Sequence, residues 1–382
     1  MTMRKGYLNL LKIIGTSVLL LILLFFQFSN DYTRYPKIKE HKICIDEFQA
    51  GNLYQQEARC FDGPIFYLLN YTIDKIFTSN FDMLIIFLSI FLYAVLFFLI
   101  YEILKREELG GKFNYLFSLI LFITIIFIYN IEVFDFAVLI ALVLYFCGFY
   151  LLFYTNIKNK EIFSGILFAM TFLTMQTYFL IILFAFIFYF LKNFRITEEK
   201  KIKINWIKLL LLGFAFIIII FLFEILFSGF LRYSFTLGRS FSETSGLSTS
   251  LFSGGFSKIV TNFLYILNLQ TEIILILTSS LLILSIYLFF LKRDFISSYS
   301  LFTILFSIIF NLFMLGDNLL QYKIILPLLP FLIIILLKLK KYSSTNLVLK
   351  CFLILLLLVL IYPAAKTVIL NYQVLQLEKE IG

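Results

Sequence analysis

Charged side chains are scarce in this sequence of 382 residues, since Asp, Glu, Lys and Arg together make up 14% of it. Soluble domains carry about 25% charged residues, so the composition excludes a soluble globular protein. Apolar residues make up 62% of the chain, and the mean hydropathy is +0.98. Apolar runs long enough to cross a ~30 Å hydrocarbon core recur from end to end. The sequence therefore predicts an all-α, polytopic integral membrane protein.

The side chains typical of zinc sites are also scarce, because His41 is the one histidine and the four cysteines contain no Cys-x-x-Cys pair. A zinc site built from His and Cys is therefore not expected. Cys147 and Cys351 fall inside apolar runs, which indicates packing residues. Cys44 and Cys60 share one loop and could form a disulfide if that loop lies outside the cell.

The apolar runs predict about eleven transmembrane helices. The first is interpreted as a retained helix, because it is too long for the apolar part of a signal peptide and lacks a cleavage site. The fifth and sixth are short and almost contiguous, with a turn near Thr174–Thr177. Such short or broken segments often adjoin a cavity or an interface. The predicted spans are 7–29, 81–104, 113–129, 135–154, 161–175, 177–191, 206–228, 271–291, 295–315, 321–340 and 346–362.

Loop charges predict a cytoplasmic N-terminus, because most Lys and Arg residues then fall in short inner loops. The net charge of +9 is explained in the same way and does not indicate nucleic-acid binding. The inner loops contain no Walker motif and no glycine-rich phosphate loop. We expect one transmembrane domain, 1–362, with outer loops at 30–80 and 229–257 and an extracytoplasmic tail at 363–382. The Ser- and Gly-rich part of the second outer loop is expected to be flexible.

The first outer loop concentrates the acidic residues of the chain. Asp46 and Glu47 stand early in this loop, in "CIDEF", and "FDGPIFYLLNY" follows. Residues 64–78 have apolar residues at helical spacing, which predicts an amphipathic helix in the membrane interface. The acids would then lie at the height of a lipid headgroup. The alternative is an ordinary solvated loop.

Two further acids, Glu132 and Asp135, occupy the short outer turn "YNIEVFDF". Asp135 begins a span, where a carboxylate caps the free amides of a helix. The functional alternative is a divalent-metal site shared by Asp46, Asp135 and Glu132, because carboxylates suit hard cations such as Mg²⁺ or Mn²⁺. If the site exists, the Asp46 and Asp135 carboxyls should converge to ~4–6 Å.

Cations on the outer side are the third feature. Arg232 and Arg239 lie in the second long outer loop, against the positive-inside trend, and Lys323 stands at the mouth of the tenth span beside Gln321 and Tyr322. The lysine could simply snorkel to the interface. All three cations are also candidates for binding a lipid phosphate.

Taken in order, these motifs resemble the C-type superfamily of polyprenyl-phosphate-dependent glycosyltransferases. The likeness is to its protein O-mannosyltransferase and lipid A aminoarabinose transferase group. An Asp-Glu pair opens the first outer loop, and an aromatic segment with Gly63-Pro64 follows. "GILFAMTFLTMQTYFLIIL" is similar to the family's glycine-led hairpin, and "QYKIILPLLPFL" to its late proline-rich span. Asp135 matches the position of the second acidic residue.

The resemblance implies a transferase that moves a sugar from a polyprenyl-phosphate donor to a lipid, glycan or protein acceptor, with inversion. It implies Asp46 as general base and Glu47 as its neighbour in the catalytic pair. The metal, where used, would be Mg²⁺ or Mn²⁺. The substrate pocket is expected to include Tyr67, Gln176, Tyr178, Gln321 and Tyr322.

Other functions remain open at this point. A polymerase of polyprenyl-linked polysaccharide repeat units would also have many spans and long outer loops, but His41 as sole histidine and the acid pair count against it. A transporter or flippase predicts ionisable residues in mid-span and repeated halves. Glu224 is the clearest such acid, and no internal repeat is evident. A structural scaffold would not need acids clustered on one side.

Overall fold

The computed structural model describes residues 63–76, 81–107, 109, 136–196, 202–204, 206–226, 272–292, 294–314 and 328–342. These residues form nine α-helices, one 3-10 turn and a two-stranded ribbon. The helices are α1 (Pro64–Ile76), α2 (Phe81–Arg106), α3 (Phe136–Tyr154), α4 (Lys160–Thr174), α5 (Phe179–Asn193), α6 (Trp206–Leu226), α7 (Glu272–Lys292), α8 (Phe295–Met314) and α9 (Leu329–Tyr342).

Three segments in the described residues are long and apolar enough to cross a membrane: Leu88–Arg106, Ala137–Tyr154 and Trp206–Leu226. They indicate a multi-pass membrane protein. Seven of the predicted spans coincide with helices α2 to α8, and α1 coincides with the helix predicted at 64–78. Helix α9 covers the later part of the predicted span 321–340, whose residues 321–327 lie outside the described residues. The predicted spans 7–29, 113–129 and 346–362 lie outside the described residues.

The helical prediction omits one short element. Phe194–Ile196 (β1) pairs antiparallel with Ile202–Ile204 (β2), and Arg195 stands opposite Lys203 in the register. Each strand alternates a cationic residue with β-branched or aromatic neighbours, a pattern that favours extended backbone. The ribbon connects the end of α5 to the start of α6.

The chain divides into two compact units, whose boundaries include Ile76 and Leu329. In the first unit the described helices are α2 and α9, which pack against each other. Lys338 on α9 forms an ion pair with Glu107, at 2.6 Å between Nζ and Oε2, and its side chain is 3% exposed. Removing Glu107 would take a partner away from this buried ammonium, which is costly.

The second unit contains almost all of the other described elements. Its most extensive packing is between α4 and α6, and α7 packs on α8. Gly165 allows the first of these contacts, because a Cβ built there would lie 2.5 Å from the carbonyl oxygen of Leu212 and 2.9 Å from Ala215 Cβ. Small residues at such positions let membrane helices approach closely.

The outward face of α6 is apolar over its whole length, which is expected of a helix surrounded by lipid. Its large side chains are half exposed or more, up to 70% at Ile207. They include Trp206, Ile207, Leu210, Phe214, Ile217, Phe221, Ile225 and Leu226.

Asp294 defines the start of α8. Its Oδ2 accepts hydrogen bonds from the backbone amides of Ile296 (3.1 Å) and Ser297 (3.2 Å). These amides have no partner within the helix, so the side chain acts as an N-cap. A sequence-local cap of this kind fixes where α8 begins.

We expect Gly165→Ala to destabilise the protein by about 1–3 kcal/mol, because the new methyl group meets backbone that cannot rotate away. The thermal unfolding midpoint in detergent should fall. Gly213→Ala on α6 is the matched control, since a Cβ there meets nothing within 4 Å and alanine favours helix. Equal midpoints for the two variants would contradict the close packing of α4 on α6.

Candidate functional site

The helical backbone is interrupted between α4 and α5, as the sequence predicts. Thr174 ends α4, Met175 is extended at φ −146° and ψ 105°, Gln176–Tyr178 form a 3-10 turn, and Phe179 begins α5. Each of these helices has 15 residues, a length of about 22 Å. Neither spans a ~30 Å core unaided, so the interruption is expected to lie at membrane depth or at its edge.

The start of α1 docks on this interruption. The Gly63 amide donates a hydrogen bond of 3.0 Å to the carbonyl of Thr174. A Cβ built on Gly63 would lie 1.6 Å from the Leu173 carbonyl oxygen, so no other residue fits without moving the backbone. Pro64 follows at the first helical position, where its missing amide hydrogen costs nothing. The Gly-Pro of the first predicted outer loop is therefore the contact point with the α4–α5 hairpin.

An apolar cluster consolidates this contact. Ile65 (6% exposed) and Leu173 (0% exposed) form its buried centre, joining α1 to α4. Half-buried side chains from α4 and α6 pack around them: Met170, Phe172, Ile219, Ile220 and Phe223.

One face of α1 is buried and carries polar groups. Phe66, Tyr67 and Asn70 are each 1% exposed, whereas Leu68 and Ile76 on other faces are 38% and 65% exposed. Among the described residues, neither Asn70 Nδ2 nor Oδ1 has a hydrogen-bond partner. A buried amide left in this state costs free energy, so Asn70 is a position where a ligand group would be stabilising.

The described part of the chain contains three of the predicted pocket residues. Tyr67 lies on the buried face of α1, and Gln176 and Tyr178 lie in the 3-10 turn. Both tyrosines are fully buried. Gln176 is half buried, and its Nε2 lacks a hydrogen-bond partner among the described residues. The docking of α1 thus brings two sequence-distant parts of the predicted pocket to the same hairpin.

The remaining predicted site residues lie outside the described residues. Their convergence, including the expected approach of Asp46 to Asp135 and the Cys44–Cys60 pairing, stays a prediction. The residues concerned are Asp46, Glu47, Glu132, Asp135, Arg232, Arg239, Gln321, Tyr322 and Lys323. In the part of the chain that is described, no group of three or more His, Cys, Asp or Glu side chains could hold a metal ion.

A tyrosine pair behind the site was not predicted from the sequence. Tyr145 on α3 and Tyr299 on α8 are hydrogen-bonded through their hydroxyls, and Tyr299 donates to the carbonyl oxygen of Ile181 on α5 at 2.9 Å. Both side chains are fully buried. A tyrosine hydroxyl within an apolar span is unusual and could have drawn attention to these residues. Their pairing could not be predicted, because the two tyrosines are 154 residues apart in the sequence.

The pair fixes the first turn of α5, and so the 3-10 turn that precedes it. Rings from three helices pack around Tyr299, with centroids 5.4 Å away at Phe149, 5.5 Å at Phe188 and 6.5 Å at Phe295. Contacts of this kind stabilise beyond the area they bury. The elements behind the site are therefore held together by buried contacts from several helices.

Comparisons with protein-family models, with curated proteins and with solved structures found no match to this chain.

We expect Gly63→Ala to release α1 from the hairpin, because its methyl group would overlap the Leu173 backbone. Overpacking of about 1–3 kcal/mol corresponds to roughly 5- to 100-fold faster hydrogen exchange of the α1 amides. Exchange mass spectrometry on peptides covering Pro64–Ile76 measures this.

Gly148→Ala is the control for that experiment. Its Cβ would meet side-chain rather than backbone atoms, with the Phe168 ring at 3.1 Å, so exchange in α1 should stay close to that of the parent. Unchanged exchange in Gly63→Ala would show that α1 is not held by this contact.

Proposed function

We propose that the protein is a membrane glycosyltransferase that moves a sugar from a polyprenyl-phosphate-linked donor to a lipid, glycan or protein acceptor. The N-terminus would be cytoplasmic and the reaction extracytoplasmic. One observation carries the proposal: the Gly63-Pro64 start of α1, which follows the acid-bearing loop, docks directly on the Thr174–Tyr178 interruption. The resemblance places both segments in the catalytic region of this class of enzyme.

The contacts within the second unit agree with the predicted alternation of loops. Two segments assigned to the outside meet, since Gly63 binds Thr174. Two segments assigned to the inside also meet. The Lys192 ammonium, at the end of α5, donates to the carbonyl of Phe153, at the end of α3, at 3.2 Å. The assignment of one end to the cytoplasm rests on loop charge.

The proposed chemistry needs one base and a stabilised leaving group. The Asp46 carboxylate takes the proton of the acceptor hydroxyl, whose oxygen bonds to the anomeric carbon as the carbon–phosphate oxygen bond breaks with inversion. Glu47 would orient Asp46. The phosphate leaves with its charge stabilised by Arg232, Arg239 and Lys323, more strongly at a membrane surface than in bulk water.

A divalent ion, Mg²⁺ or Mn²⁺, would be held by Asp46, Asp135 and Glu132 where the enzyme uses one. It would supply further charge stabilisation for the leaving phosphate.

Sugar recognition would use the groups around the interruption. Side-chain amides and tyrosine hydroxyls can satisfy sugar hydroxyl groups, and a small number of such groups in an apolar site fixes orientation. Asn70 and Gln176 have polar atoms with no partner among the described residues, and Tyr67 and Tyr178 lie on the same two elements. Gln321 and Tyr322 are proposed as further pocket residues.

Asp46→Asn tests the proposed base. Purified protein in detergent is given a mixed pool of polyprenyl-phosphate sugars, with and without divalent metal, and donor consumption is followed by mass spectrometry. Loss of a general base should lower transfer by about 10²–10⁴-fold. Full transfer by Asp46→Asn would show that Asp46 is not the base, and a parent protein that consumes no donor would count against the glycosyltransferase itself.

Asn70→Leu tests whether the buried amide binds substrate or merely packs. Removing an unpartnered buried amide in favour of an apolar group of similar shape should leave stability equal or higher. If the amide binds the sugar, transfer should still fall by roughly 5- to 100-fold, as loss of a hydrogen bond of about 1–3 kcal/mol predicts.

Thr72→Val is the matched control on α1, since Thr72 is exposed and its hydroxyl bonds to the Leu68 carbonyl of its own helix at 2.7 Å. Transfer by this variant should equal that of the parent. A stabilised Asn70→Leu variant with full activity would remove Asn70 from the site.

A further inference from the structure

At the opposite end of the second unit, three lysines lie near a buried carboxylate. Glu161, in the first turn of α4, is 5% exposed and accepts a hydrogen bond of 2.5 Å from the Tyr189 hydroxyl on α5. The Lys208 ammonium on α6 lies 3.8 Å from Glu161 Oε1, and the Lys208 side chain is 44% exposed. Lys160 interacts electrostatically with Glu161 and with Lys192 and Lys208. We call Lys160, Lys192 and Lys208 the lysine cluster.

The lysine cluster is positioned by the fold. The Lys160 ammonium donates to the Thr155 carbonyl at 2.8 Å. The Lys192 ammonium donates to the Phe153 carbonyl and lies over the rings of Phe153 and Phe295, 5.6 and 5.9 Å from their centroids. Cations placed over aromatic rings in this way are attracted to them. These lysines are therefore held in place by specific contacts. A lysine that serves only to determine membrane topology would need none.

The ammonium groups of the lysine cluster repel one another. Burial lowers the pKa of Lys160, and the like charges of Lys192 and Lys208 act in the same direction, against the carboxylate of Glu161. An anion bound here would relieve the repulsion among the lysines.

The surface beside the lysine cluster is apolar. Phe163 on α4, Leu191 on α5 and Ile207 on α6 are 52%, 53% and 70% exposed, each within three residues of a cluster lysine. Trp206 is 58% exposed there, and tryptophan is enriched at membrane interfaces. An ammonium group above an exposed apolar surface matches a phosphate joined to acyl chains.

We propose that the lysine cluster binds the phosphate of an anionic phospholipid, whose acyl chains lie along the exposed apolar side chains of α4, α5 and α6. This site lies at the other end of the helices from the α1 contact and does not depend on the proposed transferase activity. Lys208 supplies the accessible ammonium, and Glu161, held by Tyr189, keeps Lys208 and Lys160 at the height of the headgroup. Charged lysines near a membrane surface favour anionic lipid by an amount equivalent to about fivefold in affinity for each residue.

Trp206 makes the proposal directly measurable, because it is the one tryptophan in the sequence and stands two residues before Lys208. Full-length protein is placed in phosphatidylcholine nanodiscs that contain either phosphatidylglycerol or phosphatidylcholine with brominated acyl chains, at equal mole fractions. Bromine quenches indole fluorescence only at close range, so quenching reports the lipid beside Trp206. We expect brominated phosphatidylglycerol to quench more strongly, with a relative binding constant of several-fold in its favour.

Lys160→Gln/Lys208→Gln should abolish that preference, since two ammonium groups are lost. Lys105→Gln is the matched control: Lys105 is also at a predicted inner helix end, but it lies on α2, where it pairs with Glu102 at 3.2 Å. It should keep the full preference of the parent, and Lys208→Arg should keep most of it.

Three results would overturn the proposal. Equal quenching of the parent protein by the two brominated lipids would exclude a preference for anionic headgroups, whether or not the variants fold. An equal loss of preference in Lys105→Gln would assign it to the general charge of the protein. Relief of the quenching by inorganic phosphate, at concentrations that leave bulk lipid unchanged, would assign the site to a soluble anion.

Discussion

Backbone groups that leave a helix within a membrane must find partners inside the protein, and this constraint shapes the second unit. Between α4 and α5 the helical hydrogen-bond pattern stops. The carbonyl of Thr174 is satisfied by the Gly63 amide at 3.0 Å, and Met175 bonds to Thr171 and accepts from Tyr178. Because the Gly63 amide comes from another segment, α1 is an integral part of the hairpin. A side chain at this position would prevent the approach, which explains why glycine stands there.

The same constraint explains the buried tyrosines. A hydroxyl in an apolar interior is stabilising only where it has partners, and Tyr145, Tyr299 and the Ile181 carbonyl form a chain in which each hydroxyl donates once. The carbonyl of Ile181 is part of α5. The hydrogen bond that it accepts from Tyr299 therefore links α5 to α8, and through Tyr145 to α3. The interruption is thus held on one side by α1 and on the other by the tyrosine pair, which leaves the 3-10 turn little freedom.

Features that depend on local sequence could be predicted, and those that depend on distant pairing could not. Apolar run length located α2 to α8 within about two residues, and the turn after Thr174 and the helix after Gly63 were recognisable from spacing and Gly-Pro. Asn70 was only one among many polar residues near the predicted site, because its burial follows from the packing of α1. The Glu161–Tyr189–Lys208 group was also missed. In the sequence, Glu161 and Lys208 each look like ordinary charged residues beside an inner loop. Only the tertiary contacts show that the Glu161 carboxylate is buried.

The two ends of the second unit differ in the kind of polar group that the fold buries. At the α1 end the buried groups are neutral amides and hydroxyls, and those of Asn70 and Gln176 have no partner among the described residues. At the other end the buried group is a carboxylate, and lysines compensate it. A neutral amide can be left open for a ligand at a cost of about 1–3 kcal/mol, whereas a buried unpaired charge would cost several times more. An exchangeable polar substrate is therefore better accommodated at the α1 end, and a resident anion at the lysine cluster.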